Sequence, residues 1–288
     1  MPGSHRKSLR PKSLRLKSLR LKSLRLKSSR PKSFRFESVR RSSARLRRLS
    51  RRMVLGGAIA AAGAGYAIIR PPLGLWPSLQ ELSADYRTAK GEQRKVAVAP
   101  DVSLELNTQT SVALRSAQSE TEVELISGEA SIEAARAASN PFILLAANGR
   151  ISATRAAFNV RCLDGVVTAT CLTGAIDVAR DGKTARLQKA EQISYSPAGL
   201  QASVPVDPAQ IIAWQAGLLI FRDRPLTNVV DEVNRYRSGK IIVTNENLRR
   251  RIVNGTFRID KLEDFVAQVQ QLFGAQVRYL PGGVVLLS

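Results

Sequence analysis

Apolar and polar residues alternate with a period of two over most of the chain between residues 94 and 195. Val102, Leu104 and Leu106 interleave with Ser103, Glu105 and Asn107, the pattern of a strand with one face buried. Comparable short runs occur at Lys95–Ala99, Val112–Arg115, Glu122–Ser127, Ala130–Ala134, Phe142–Ala146, Arg150–Ala153, Phe158–Leu163, Val166–Leu172, Ala175–Ala179, Arg186–Leu187 and Glu191–Tyr195. Between them stand Pro100-Asp101, Ser127-Gly128, Asn148-Gly149, Asp164-Gly165 and Asp181-Gly182, pairs whose chemistry suits tight turns. Many short strands at regular spacing predict an all-β sandwich or solenoid domain, placed at residues 84–203.

The pattern changes after Pro205 and Pro208. Ile211–Ala216 carries Trp214, and Leu218–Phe221 reads as a strand. Leu226, Val229, Val230, Val233 and Tyr236 then recur at helical spacing after Pro225, with Gly239 beyond them. Strands are expected at Lys240–Thr244 and Arg251–Arg258. A second helix is expected with Asp260 as its cap, Leu262, Phe265, Val266, Val269 and Leu272 on one face, and Gly274 at its end. Val277–Leu280 and Val284–Leu287 close the chain as a hairpin. The order is βαββαββ, a small α+β domain over residues 211–288.

Upstream, Met53–Ile69 is a run of seventeen uncharged residues, MVLGGAIAAAGAGYAII, preceded by Arg51-Arg52 and followed by Arg70-Pro71-Pro72. As a helix it would rise about 25 Å, slightly less than the roughly 30 Å hydrocarbon core of a bilayer. Leu73, Leu75 and Trp76 extend it to the interface. One transmembrane helix is therefore expected within residues 51–76, retained as an anchor. Arg51 and Arg52 serve either as the flank that orients the helix or as a twin-arginine export signal.

The first 50 residues follow neither period. Residues 7–36 repeat a pentapeptide: KSLRP, KSLRL, KSLRL, KSLRL, KSSRP, KSFRF. A period of five keeps no apolar face, and like charges repel, so a disordered basic tail is expected over residues 1–50. Charge is concentrated there. Residues 1–52 hold 20 of the 45 Lys/Arg and one of the 23 Asp/Glu, although the whole chain carries +22. The remainder is close to neutral, which argues against a nucleic-acid-binding folded domain. The arginine-rich flank places the N-terminus in the cytoplasm and the domains beyond the helix on the other side.

Candidate chemistry is sparse. The one histidine, His5, lies in the tail. The domains therefore cannot assemble a Ser-His-Asp or Cys-His set or a histidine metal site. No cofactor and no enzymatic activity are expected. Asp101, Glu105, Glu120, Glu122 and Glu124 read as a solvated strand face, and Gly182-Lys183-Thr184 reads as a hairpin turn. A two-residue turn at Asp164-Gly165 pairs Cys162 with Val167 and Phe158 with Cys171. The two cysteines then share the core face but stand four ladder positions apart, roughly 13 Å. That is too far for a disulfide, so both are expected as buried free thiols. Arg249, Arg250 and Arg251 form a candidate docking patch for an acidic partner. The strand containing Ile241 and Val243 is a candidate edge for strand addition by a partner module, or else lies within its own sheet.

Five segments, ADYRTAKGEQRKVAV, LELNTQTSVALR, VELISGEASIEAA, NPFILLAANGRISATRAAFNVR and DGVVTATCLTGAIDVA, lie in order between residues 84 and 179. They resemble the periplasmic domain of FecR-type sigma-factor regulators. WQAGLLIFRDRPLTNVVDEVNRY resembles the family's next block, and residues 217–288 resemble the STN module of secretins and TonB-dependent receptors. The chain departs from the family pattern at Ala99-Pro100-Asp101-Val102 and Arg155-Ala156. Residues 1–50 do not resemble the family's cytoplasmic sigma-binding domain. The resemblance implies a single-pass inner-membrane signal transducer that regulates an extracytoplasmic-function sigma factor. It also implies the periplasmic signalling domain of an outer-membrane TonB-dependent transducer as partner. The alternative is a membrane-tethered envelope binding module without sigma-factor control.

Overall fold

The computed structural model describes residues 78–117 and 120–288. The basic tail and the expected membrane segment, with Arg51 and Arg52, lie outside the described residues. Among those described, no helix is long and apolar enough to cross a membrane.

A short helix α1 (Leu79–Leu82) leads into fourteen strands. These are β1 (Tyr86–Arg87), β2 (Arg94–Ala99), β3 (Val102–Leu106), β4 (Ser111–Ala117), β5 (Glu120–Ala135), β6 (Phe142–Ala146) and β7 (Gly149–Ala153). Then follow β8 (Arg155–Leu163), β9 (Val166–Thr173), β10 (Ala175–Arg180), β11 (Lys183–Gln188), β12 (Glu191–Ser196), β13 (Gly199–Leu200) and β14 (Val204–Pro205). All fourteen belong to one hydrogen-bonded system, folded into two layers by β5. The first half of β5 pairs with β4 and, in parallel, with β6. Its second half pairs with β3 and β8. Leu125, Leu144, Ile151 and Val178 from one layer and Leu104, Ile132, Phe158 and Val160 from the other are buried in a single cluster.

This sharing of β5 corrects the turn expected at Ser127-Gly128. The chain does not reverse there but bends inside one 16-residue strand. Gly128 has φ +96°, and a Cβ on it would stand 2.4 Å from Thr110 Cα. Only glycine lets the two layers approach at the corner. The turn expected at Asn148-Gly149 lies one residue earlier. Ala147 (φ 40°) and Asn148 (φ 64°) take the left-handed positions, and Ala146 pairs with Gly149. Gly149 is needed for space: a Cβ there would lie 2.4 Å from Tyr195 Cζ. Asp164-Gly165 and Asp181-Gly182 are two-residue turns with positive φ at both positions, as expected of type I′ hairpins.

The β8–β9 ladder has the expected register: Leu163 pairs with Val166, Cys162 with Val167 and Phe158 with Cys171. Both cysteines are free and buried. Burial pushes the Cys162 thiol up to about 11 and the Cys171 thiol up as well, with Glu191 adding to it.

Helix α2 (Pro208–Ile211), capped by Asp207, and a 3₁₀ turn at Ala213–Ala216 carry the chain to the C-terminal elements. These are β15 (Leu218–Pro225), α3 (Leu226–Tyr236), β16 (Lys240–Val243), α4 (Glu246–Arg249), β17 (Ile252–Arg258), α5 (Glu263–Phe273), β18 (Val277–Leu280) and β19 (Val284–Leu287). Strands β15 and β17 form one antiparallel pair. β16, β19 and β18 form a separate sheet with β16 at one edge. Leu226, Val229, Val230, Val233 and Tyr236 bury the inner face of α3. They pack with Phe257, Phe265, Val266 and Val285 in a second hydrophobic cluster.

Asp260 does not cap α5. It takes part in a 3₁₀ turn, Ile259–Lys261, and its carboxylate accepts from both Arg258 Nε (2.9 Å) and Nη2 (2.7 Å). The helix begins after Leu262 instead. Leu272 is exposed at 70 %, because it falls in the last turn, just before the helix stops at Gly274 with φ +64°. The core side of α5 is Leu262, Phe265, Val266 and Val269.

Candidate functional site

The outer face of the β5–β8–β9 layer is built from the polar residues that alternate with the core. Glu129 faces Arg161, and Asn159 faces Thr170, across neighbouring strands. Outward-facing positions should be wet, yet Glu129, Ser131, Asn159 and Thr170 are all buried. Helix α3, the Trp214 turn and β15 cover them. Between this floor and its cover lies a cleft of about 810 Å³ lined by Asn159, Thr168, Gln192, Trp214, Phe221, Asn228 and Arg235 among others.

A chain of alternating charges crosses the seam. Arg161 Nη2 donates to Glu232 Oε2 (2.5 Å). Arg235 Nη1 donates to Glu232 Oε1 (2.7 Å) and to Glu129 Oε2 (3.0 Å). Two amides support Glu129: Asn107 Nδ2 donates to Oε2 at 3.0 Å and Asn159 Nδ2 to Oε1 at 3.1 Å. Asn107 Nδ2 also donates to the Tyr236 hydroxyl at 2.7 Å. Helical spacing explains the α3 contribution: Glu232, Arg235 and Tyr236 stand three and four residues apart and so share one side.

The electrostatics follow from burial and neighbours. Burial opposes ionisation of Glu232, but Arg235 and Arg161 outweigh it and hold its carboxyl below the ordinary 4.5. Burial also opposes the Arg235 cation, and Glu232 and Glu129 overcome it, so its proton is held more tightly than usual. Burial, reinforced by Glu129 and Glu232, pushes the Tyr236 phenol up.

Further contacts tie the same two parts together. Thr108 Oγ1 donates to the Arg235 carbonyl (2.9 Å), Gln93 Nε2 to the Trp214 carbonyl (2.9 Å) and Gln215 Nε2 to Glu105 Oε2 (3.1 Å). Among the described residues no group of three or more His, Cys, Asp and Glu could hold a metal ion. The carboxylates read as a solvated strand face mostly have cationic partners: Lys95 with Glu105, Arg150 with Glu122, Arg115 with Glu124, and Arg136 with Asp101.

The residues expected to dock a partner are spread over the C-terminal elements. Arg249 at the end of α4 and Arg250 just beyond it are exposed, and each pairs with Glu246, at 3.6 and 3.1 Å. Arg251 is also exposed, and its carbonyl accepts from Leu226 N at 2.7 Å. Val243 is half-buried at the end of edge strand β16. Ile241 differs from its expected role. Its side chain is 1 % exposed in the core, and its backbone on the open edge is already bonded to Asn234.

Residues 84–177 match the family model described as FecR protein, so the resemblance read from the sequence holds over that span. Two crystal structures of a proposed anti-sigma factor from Parabacteroides distasonis, at 1.65 and 2.50 Å resolution, superimpose with TM-scores of 0.61 and 0.60. Each is 23 % identical to this chain and covers 70 % of it; the match spans 97 % and 96 % of those chains. At that identity the likeness is one of fold. No curated protein sequence matches the chain.

Proposed function

We propose that this chain, which carries a FecR domain over residues 84–177, is a FecR-type regulator of an extracytoplasmic-function sigma factor. In this reading it spans the inner membrane once, through Met53–Ile69, with its N-terminus in the cytoplasm. The β domain and the C-terminal α+β elements lie in the periplasm. There they receive the signalling domain of an outer-membrane TonB-dependent transducer. One observation carries the reading: the FecR match follows, in the same chain, an uncharged run of membrane-helix length with arginines on its N-terminal side.

The strand and helix order over residues 218–287 supports an STN-like module as the receiving end. Arg249, Arg250 and Arg251 offer it an exposed cationic patch for an acidic partner surface.

The full chain, purified in detergent, is mixed with each extracytoplasmic-function sigma factor encoded in its own genome. One of them co-purifies, and deleting residues 1–48 abolishes the association. Failure of every sigma factor to bind overturns the reading. A second reading, a membrane-tethered envelope module without sigma-factor control, is favoured by the pentapeptide repeats that occupy the usual place of the sigma-binding domain. It predicts no sigma factor bound and no effect of the deletion.

A further inference from the structure

We infer that the seam between the β domain and helix α3 is a latch: the C-terminal module is built to dock on the β domain and to swing away from it. This inference stands whether or not the chain controls a sigma factor.

The two hydrophobic clusters do not merge across the seam. The first hydrophobic cluster draws its residues from Val96 to Tyr195, the second from Leu219 to Leu287, and the two share none. Each part therefore keeps its core when the seam opens, as separable domains do. The seam itself is made of ion pairs and side-chain hydrogen bonds, which exchange for water at small net cost when both partners become hydrated.

The docked seam also holds polar atoms that it does not satisfy. Arg235 Nη2, Asn159 Oδ1 and Trp214 Nε1 are buried without a hydrogen-bond partner. Each carries a desolvation penalty that opening relieves. All three residues line the cleft, which leaves the seam incompletely packed. Against these costs stand the Arg161–Glu232 and Arg235–Glu129 pairs. Removing one member of a buried pair strands the other, so the charges act as the catch.

The segment that carries the Trp214 turn belongs with the module: Arg222 Nη1 donates to Asp207 Oδ2 (2.8 Å), Gln210 Nε2 to the Ile220 carbonyl (3.2 Å) and Ile259 N to the Gly217 carbonyl (2.9 Å). A partner that binds the module only when α3 is uncovered shifts the population to the open state.

Spin labels at Val166→Cys and Leu272→Cys test the latch by pulsed dipolar spectroscopy on the full chain. Both positions are exposed, at 46 % and 70 %, one on each part. The buried native thiols are checked by labelling the parent chain. The parent shows one dominant distance. Glu129→Gln raises the ratio of long to short distances at least tenfold. Arg161→Met, at the half-exposed rim, raises the ratio about threefold and decides the matter if Glu129→Gln loses its β-sheet circular dichroism. An unchanged distance distribution in Arg161→Met and in a folded Glu129→Gln overturns the latch.

Discussion

Asn234 clasps the backbone of Ile241 from both sides. Its Nδ2 donates to the Ile241 carbonyl at 2.8 Å, and its Oδ1 accepts from the Ile241 N–H at 2.7 Å. One helix side chain thus occupies a donor and an acceptor that edge strand β16 would offer to an added strand. Proteins commonly cover such edges; here the cover is an amide that imitates a strand.

Asn234→Ala removes that cover. We expect a stability loss of about 1–3 kcal/mol for the two orphaned backbone groups, read from denaturant midpoints. We also expect concentration-dependent self-association absent from the parent, read by sedimentation. Asn234→Ala that remains as stable and as monodisperse as the parent contradicts the clasp.

Gly149 and Gly182 separate two reasons for glycine. Gly182 has φ +75° with open space around it, whereas Gly149 lies against the Tyr195 ring. Gly182→Ala costs about 1–2 kcal/mol from backbone strain, and Gly182→Asn recovers most of it. Gly149→Ala costs about 1–3 kcal/mol from overpacking, and Gly149→Asn is worse. A smaller residue in place of Tyr195 narrows the Gly149→Ala penalty, measured as a double-mutant cycle.

The two thiols should be silent in the native protein. Cys162, held near 11 by burial, is almost wholly protonated at pH 8, and the thiolate is the reactive form. Without reductant, a thiol reagent finds none in native protein and two after denaturation. Fewer than two on denaturation contradicts the β8–β9 register.

Glu232 ties stability to acid pH. Its carboxyl titrates below the ordinary 4.5 when folded, so the unfolded chain binds the proton more readily. Its contribution is complete above about pH 4.5 and declines as pH falls through the folded value. Glu232→Gln should cost about 3 kcal/mol at neutral pH, and its gap to the parent should narrow below pH 4.5. A gap constant from pH 7 to 3 contradicts the ion pairing.

The β8–β9 hairpin was legible because turn chemistry and alternation agreed: Asp164-Gly165 set the register from Leu163–Val166 to Phe158–Cys171, and only beyond Phe158 does a bulge shift it. The bend at Gly128 was not, because the same Ser-Gly pair suits a hairpin or a kink, and only Thr110 across the corner distinguishes them. The turn beside Gly149 shifted by one because Ala147 takes a left-handed conformation that alanine rarely adopts. Asp260 could have capped α5, but Arg258 two residues away competes for its carboxylate. The seam was the least legible part. Glu129, Asn159 and Thr170 stand at polar positions of alternating strands, which read as solvent-facing. Nothing in those strands announces that a helix far downstream, Leu226–Tyr236, covers them. The signal was on α3, where Glu232, Arg235 and Tyr236 give one side both charges and an aromatic hydroxyl.

The regulator reading is tested most directly by transcript profiling. The gene is deleted in frame, then complemented with the full chain or with a form lacking residues 1–48. Deletion is expected to change one compact set of genes served by a single extracytoplasmic-function sigma factor, and only the full chain restores them. No sigma-dependent change on deletion, or equal restoration by the truncated form, contradicts it.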